Sequence, residues 1–188
     1  MKRGTVVEYV AIAVLAVLVA LAVQAWLIKP YRIPSESMAD TLRPGDRVLV
    51  NRLVYHLHSP HRGDVIVFRY PEDPKVIFIK RVVGEPGDVL QVRDGHLFVN
   101  GAVVAEPYVH STGGSRDPTT AAGAIAGSTM RDPWSLTLAF TVPADAFFVM
   151  GDNRTDSDDS RVWGTVPRDA IIGEGFATYW PLSRLHSL

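Results

Sequence analysis

Lysine is scarce in this chain, and one lysine stands in an unusual place. There are four: Lys2, Lys29, Lys75 and Lys80. Lys80 falls inside the run VIFIKRVV at 76–83, and strand alternation puts it on one face with Val76, Phe78 and Val82. An ammonium buried among apolar side chains is disfavoured, so its pKa drops toward the range in which a neutral amine serves as a general base. A strand-end lysine that bends back to solvent is the plain alternative. A lysine base needs a nucleophile, and IPSESM at 33–38 offers Ser35 and Ser37. A serine is a weak nucleophile unless a base activates it, and Ser-x-Ser in a turn ordinarily bonds its own backbone. A third segment, GDNRTDSDDSRVWGTVP at 151–167, follows an apolar strand and is dense in Asp, Ser and Arg, as a loop folded around a site would be.

Other chemistries are excluded or weak. The chain has no cysteine, which removes disulfides, thiol nucleophiles, Cys-based zinc sites and iron–sulfur clusters. His56, His58 and His61 in HLHSPH have a spacing compatible with metal, but only imidazoles are offered and no acid is clearly placed beside them. A polar loop between strands is the expectation, with no metal and no cofactor. The net charge of -1 over 188 residues supplies no basic field for phosphate backbones, so nucleic acid is not an expected partner.

These residues must be held by a mainly β domain. Short alternating runs predict strands over 47–52, 64–69, 76–83, 89–92, 97–99, 103–105, 136–141, 146–150 and 171–179, separated by turn signals such as Pro44-Gly45-Asp46, Pro86-Gly87-Asp88, Asp94-Gly95 and Asn100-Gly101. No βαβ alternation is visible, so an antiparallel or mixed sheet closing into a barrel-like domain is expected over 30–188. Residues 111–132, rich in Gly, Ser, Thr and Ala, read as a flexible loop.

Ahead of that domain, residues 9–28 form a stretch of twenty with no charge, ended by Trp26, Lys29 and Pro30. This is long enough to cross a hydrocarbon core of about 30 Å as a helix, and too long for the apolar part of a cleaved signal peptide. Residues 1–29 are therefore expected to be a short cytoplasmic tail and a single transmembrane helix in contact with cytoplasmic-membrane lipid. The tail stays inside and the larger domain lies outside.

Taken together, PSESM at 34–38, RPGD at 43–46, RGDVIVF at 62–68, IKRVVGEPGD at 79–88, GDNR at 151–154 and DSRVWGTVP at 159–167 resemble the bacterial type I signal peptidases, membrane-anchored proteases with a Ser-Lys dyad. The resemblance implies Ser37 as nucleophile and Lys80 as general base. It implies Ser35 as an oxyanion donor, Ser157 as the hydroxyl that orients the lysine, an Asp159–Arg161 ion pair, and Asp152 as a support of the loop. Ile33, Pro34, Met38, Leu42, Phe78 and Ile79 would line shallow pockets for alanine-sized side chains, and the substrates would be signal peptides cut after Ala-x-Ala. Two places depart from the family's pattern: Asp40 stands where proline is usual, and Thr155-Asp156 replaces Asp-Asn. A non-cutting peptide-binding domain of the same build is the alternative, against which both Ser37 and Lys80 count. A self-cleaving repressor is disfavoured by the anchor and by the lack of DNA-binding helices.

Overall fold

The computed structural model describes residues 3–109 and 136–188, without the side chains of residues 3–7, 20 and 22–26. A 25-residue helix, α1 (Arg3–Leu27), leads directly into the first strand. The strands are β1 (Ile28–Arg32), β2 (Arg47–Asn51), β3 (Val65–Arg69), β4 (Ile77–Gly84), β5 (Val89–Arg93), β6 (His96–Val99), β7 (Ala102–Val103), β8 (Phe140–Thr141), β9 (Ala146–Met150), β10 (Val166–Pro167), β11 (Ile171–Trp180) and β12 (His186–Ser187), with one-turn helices α2 (Val54–Leu57) and α3 (Ser160–Trp163).

The fold is mainly β, and every strand pair is antiparallel. The larger sheet runs β1-β2-β11-β3-β4-β9-β10, with β12 added to β11, and the smaller runs β7-β6-β5-β8. Among the described residues the larger path stays open, its end strands β1 and β10 unpaired with each other. The expected single barrel-like closure is thus replaced by two antiparallel sheets, and the mixed-sheet option drops out.

Period-two burial explains how the layers stack. In β3, Val65 and Val67 enter a cluster with Ile33, Met38, Leu42, Val48 and Val50, while Ile66 and Phe68 enter another with Val82, Phe147, Val149 and Val166. In β9, Phe148 and Met150 face a third cluster with Val83, Leu90, Leu97 and Leu136. Both faces of β9 are covered, which is why AFFVM is continuously apolar and wholly buried. The hairpin turns are as their residues require: Asp94 and Gly95 at φ 47 and 81 join β5 to β6, and Asn100 and Gly101 at φ 52 and 82 join β6 to β7.

The expected elements change in places. Residues 136–141 yield only the two residues of β8, because Leu136 takes φ 56 and drops into the core instead of extending a strand. Strand β1 contains Pro30 and gave no alternation to read; it is tolerated because β1 is the sheet's edge, where a missing N–H costs no ladder bond. The expected loop over 111–132 lies outside the described residues. As for the expected transmembrane helix, among the described residues no helix is long and apolar enough to cross a membrane. The described apolar side chains of α1, such as Val10, Leu15 and Leu18, stand more than half exposed.

Candidate active site

Ser37 sits in a short turn-rich segment between β1 and β2, pinned on both sides by core residues. Ile33 and Met38 are buried, Leu42 N–H donates to the Met38 carbonyl at 2.7 Å, and Ile33 exchanges backbone bonds with Gly45 and Asp46. The loop after β9 grips the same segment: Asn153 N–H donates to the Ser37 carbonyl at 3.1 Å and Asn153 Nδ2 to the Glu36 carbonyl at 3.3 Å.

Lys80 reaches this serine from the middle of β4. Its Nζ lies 2.6 Å from Ser37 Oγ, and both side chains are buried. Lys80 shares its face with Phe78, whose ring centroid is 5.4 Å from Nζ, and with buried Val82; Val76 lies just before the strand and is exposed. Burial pushes the amine down to about 8, against the weaker upward pull of Asp159 and Asp158. A neutral amine at 2.6 Å accepts the hydroxyl proton, so the pair is arranged for proton abstraction. Ser35 Oγ lies 3.3 Å from Ser37 Oγ, on the same rim.

Two buried ion pairs hold the surrounding loop. Arg161 Nε and Nη2 donate to the two oxygens of Asp159, each at 2.8 Å, and Asp159 also accepts from the Gly151 N–H at 3.0 Å. Burial alone would raise the Asp159 carboxyl, but the charge and hydrogen bonds of Arg161, with the Gly151 N–H, hold it below the usual carboxylate range. Asp152 accepts from Arg81 Nε and Nη2 at 2.8 and 2.7 Å and from Thr41 Oγ1 at 2.6 Å, tying this loop to the strand that carries Lys80. Ser157 is buried beside these groups, yet its hydroxyl makes no hydrogen bond to Lys80. It packs against Gly151, where an added Cβ would collide with Ser157 Oγ and the Ser37 carbonyl.

A groove of about 380 Å³ opens over Ser37 and Lys80, walled by Pro34, Ser35, Phe78, Ile79, Asp156 and Asp158. Of the expected pocket residues, Pro34, Phe78 and Ile79 line it. Ile33, Met38 and Leu42 do not, because they are committed to the cluster with Val48 and Val50, against which Ile79 also packs. A larger cavity of about 590 Å³ between Tyr55 and Arg168 contains neither Ser37 nor Lys80, so size does not mark the site here. Of the two departures, Asp40 forms an exposed ion pair with Arg43 at 3.1 Å and Thr155 donates to Asn153 Oδ1 at 3.1 Å. The HLHSPH rings of His58 and His61 stack with centroids 5.6 Å apart, and among the described residues no three His, Asp or Glu are grouped to hold a metal ion.

The sequence reading missed several members of the site. Arg81 is legible as a charge inside an apolar strand, next to Lys80. Thr41 carried no signal. Glu106, which receives Arg154 Nη1 and Nη2 at 3.1 and 2.5 Å in a third buried pair, carried none either.

The family model described as signal peptidase, peptidase S26, matches residues 6–180. The chain belongs to this signal peptidase family. It is 38% identical over 181 residues to signal peptidase I of Leptolyngbya laminosa, covering 93% of this chain and 79% of that protein. It is 35% identical over 220 residues to signal peptidase I of Pseudomonas aeruginosa, covering 100% and 78%. Signal peptidase I T of Bacillus subtilis is 34% identical over 188 residues, covering 98% and 90%. A crystal structure of a signal peptidase I from Enterococcus faecalis is 31% identical, with a TM-score of 0.43 over 61% of this chain and 95% of that one. As a member of the signal peptidase family the chain is a serine peptidase and a hydrolase.

Proposed function

We propose that this signal peptidase is an endopeptidase in which Ser37 is the nucleophile and Lys80 the general base. The observation that carries the reading is the 2.6 Å contact between Lys80 Nζ and Ser37 Oγ, made by an amine whose burial lowers its pKa to about 8. Neutral Lys80 takes the Ser37 proton as Oγ attacks the peptide carbonyl, and the ammonium so formed returns a proton to the departing amine. The acyl-enzyme is then opened by water, with Lys80 again as base. Ser35 donates its hydroxyl to the oxyanion, and the Asp159–Arg161 and Arg81–Asp152 pairs hold the loop against Ser37.

The substrates are signal peptides of exported preproteins, cut after Ala-x-Ala. An extended peptide would lie along the Ile77–Lys80 edge of the groove, where Phe78 and Ile79 leave space for small side chains. Helix α1, which contains residues 9–27 of the uncharged stretch, anchors the chain in the cytoplasmic membrane with the β domain outside. Incubating the detergent-solubilised full chain with a preprotein and sequencing the new amino terminus tests this reading. The expected product begins directly after Ala-x-Ala and is absent with Ser37→Ala. Cleavage elsewhere, or by the Ser37→Ala chain, overturns it.

A further inference from the structure

We propose that a second pocket, at the foot of α1, binds the phosphate headgroup of an anionic phospholipid; this rests on reading α1 as the membrane anchor. The pocket is about 290 Å³ and lies where Leu27, the last residue of α1, meets Arg52, Leu53, His56, Arg69 and Ile172. Its place relative to the helix is set by backbone bonds. Arg52 N–H donates to the Leu27 carbonyl at 2.9 Å, and Asn51 pairs with Ile28, the first residue after the helix.

The lining is amphiphilic. Leu27, Leu53 and Ile172 supply apolar surface, with Leu53 exposed, and Leu57 on the same short α2 is the most exposed large apolar side chain of the β domain's described residues, at 79%. Arg52 and Arg69 supply charge. Neither makes an ion pair or a side-chain hydrogen bond among the described residues, and Arg52 Nε is buried with no acceptor at all. Among the described residues no carboxylate lines this pocket; Asp145 and Asp169 line the larger cavity that adjoins it.

In a domain whose acids outnumber its bases, the buried Nε of Arg52, left without an acceptor beside an apolar floor and sharing its pocket with a second arginine, Arg69, is the anomaly. A guanidinium without a partner is satisfied by the oxygens of a phosphate, and a phosphate carrying acyl chains also covers Leu27 and Leu53. The consequence reaches the active site. Arg69 is register-paired with Ile77, which lines the groove over Ser37, so a lipid held by Arg69 sets the height and tilt of that groove above the bilayer.

The test is lipid retention by the full chain, released from detergent micelles in a native mass spectrometer after titration with phosphatidylglycerol or with phosphatidylcholine. The wild type is expected to retain phosphatidylglycerol in preference. Arg52→Gln and Arg69→Gln are each expected to weaken that retention roughly fivefold, the fold-change equivalent to about 1 kcal/mol per cation at an anionic membrane surface. Arg52→Lys and Arg69→Lys should keep most of it, and Arg93→Gln, which removes a cation from the smaller sheet, should not change it. Equal retention of both lipids by the wild type, or retention indifferent to both glutamine variants, overturns the proposal. Displacement of the lipid by free inorganic phosphate overturns it too, by assigning the pocket to a small anion. Because binding and not cleavage is read, a failure of the Ser37–Lys80 reading leaves this result untouched. A chain that does not float with lipid vesicles would overturn the anchor and this site together.

Discussion

Arg81 Nε and Nη2 hold the two carboxylate oxygens of Asp152 at 2.8 and 2.7 Å, in a pair that is almost wholly withdrawn from solvent. Arg81 follows Lys80 on β4, and Asp152 follows Gly151, whose N–H bonds Asp159. One fork-to-fork contact therefore sets the distance between the strand that carries the amine and the loop that grips the Ser37 carbonyl. Removing one partner leaves the other as an uncompensated buried charge, a loss on the order of 3–5 kcal/mol. Arg81→Met is accordingly expected to lower the urea midpoint sharply and to reduce kcat. A double Arg81→Met, Asp152→Leu chain should regain much of the stability without regaining the activity. A single Arg81→Met chain as stable as the wild type would show that the pair does not carry the loop.

The pH dependence follows from Lys80. Its amine is lowered from 10.5 to about 8, so below about 8 it is an ammonium and cannot take a proton, and activity should rise as pH passes through that value. The effect on stability has a defined sign. Between about 8 and 10.5 the unfolded chain binds more protons than the folded one, so this group's contribution makes stability rise with pH across that window, and below it the full cost of the buried ammonium is present. Lys80→Met should be inactive, yet at neutral pH no less stable than the wild type, and it should lose that slope. Lys80→Arg should also be inactive, since a guanidinium does not deprotonate. Rate profiles and chemical denaturation across the range check both halves, and substantial activity in Lys80→Arg would refute the base.

The proposed mechanism gives Ser35 and Ser37 different functions although their hydroxyls are 3.3 Å apart. Ser37→Ala should abolish turnover. Ser35→Ala should lower kcat by about 10²–10³, the usual loss for one oxyanion donor, with little change in KM. Equal and total loss in both would leave the nucleophile unassigned between them.

Gly151 has no room for a side chain: a Cβ there meets Ser157 Oγ and the Ser37 carbonyl oxygen, and the second of these is backbone. Gly151→Ala should push the Ser37 segment away from Lys80. A displacement of about 1 Å in a catalytic contact costs about 10²-fold. The expected result is a lower kcat in a chain whose circular dichroism is that of the wild type. Unchanged kcat would mean that the Ser37 segment yields without moving its hydroxyl.

What the amino-acid order determines unaided is local. Asn100-Gly101 forces a tight hairpin because positive φ is needed at both places, the unbroken apolar run of β9 requires cover on both faces, and a lysine inside VIFIKRVV is already a charge in the wrong surroundings. Those features made the mainly β fold, the position of Lys80 and the six family motifs readable before any coordinates. Pairing across the chain was decided only in three dimensions. Lys80 meets Ser37 over a separation of 43 residues, Arg81 meets Asp152 over 71 and Arg154 meets Glu106 over 48. Nothing in the immediate surroundings of Glu106 or Thr41 distinguishes them from any surface polar residue. Ile33, Met38 and Leu42 look as suited to a binding pocket as to a core. Their fates depend on which faces the antiparallel sheets bring together, because desolvation, and with it the lowered pKa of Lys80 and the need for each buried charge to find its partner, exists only once the layers close.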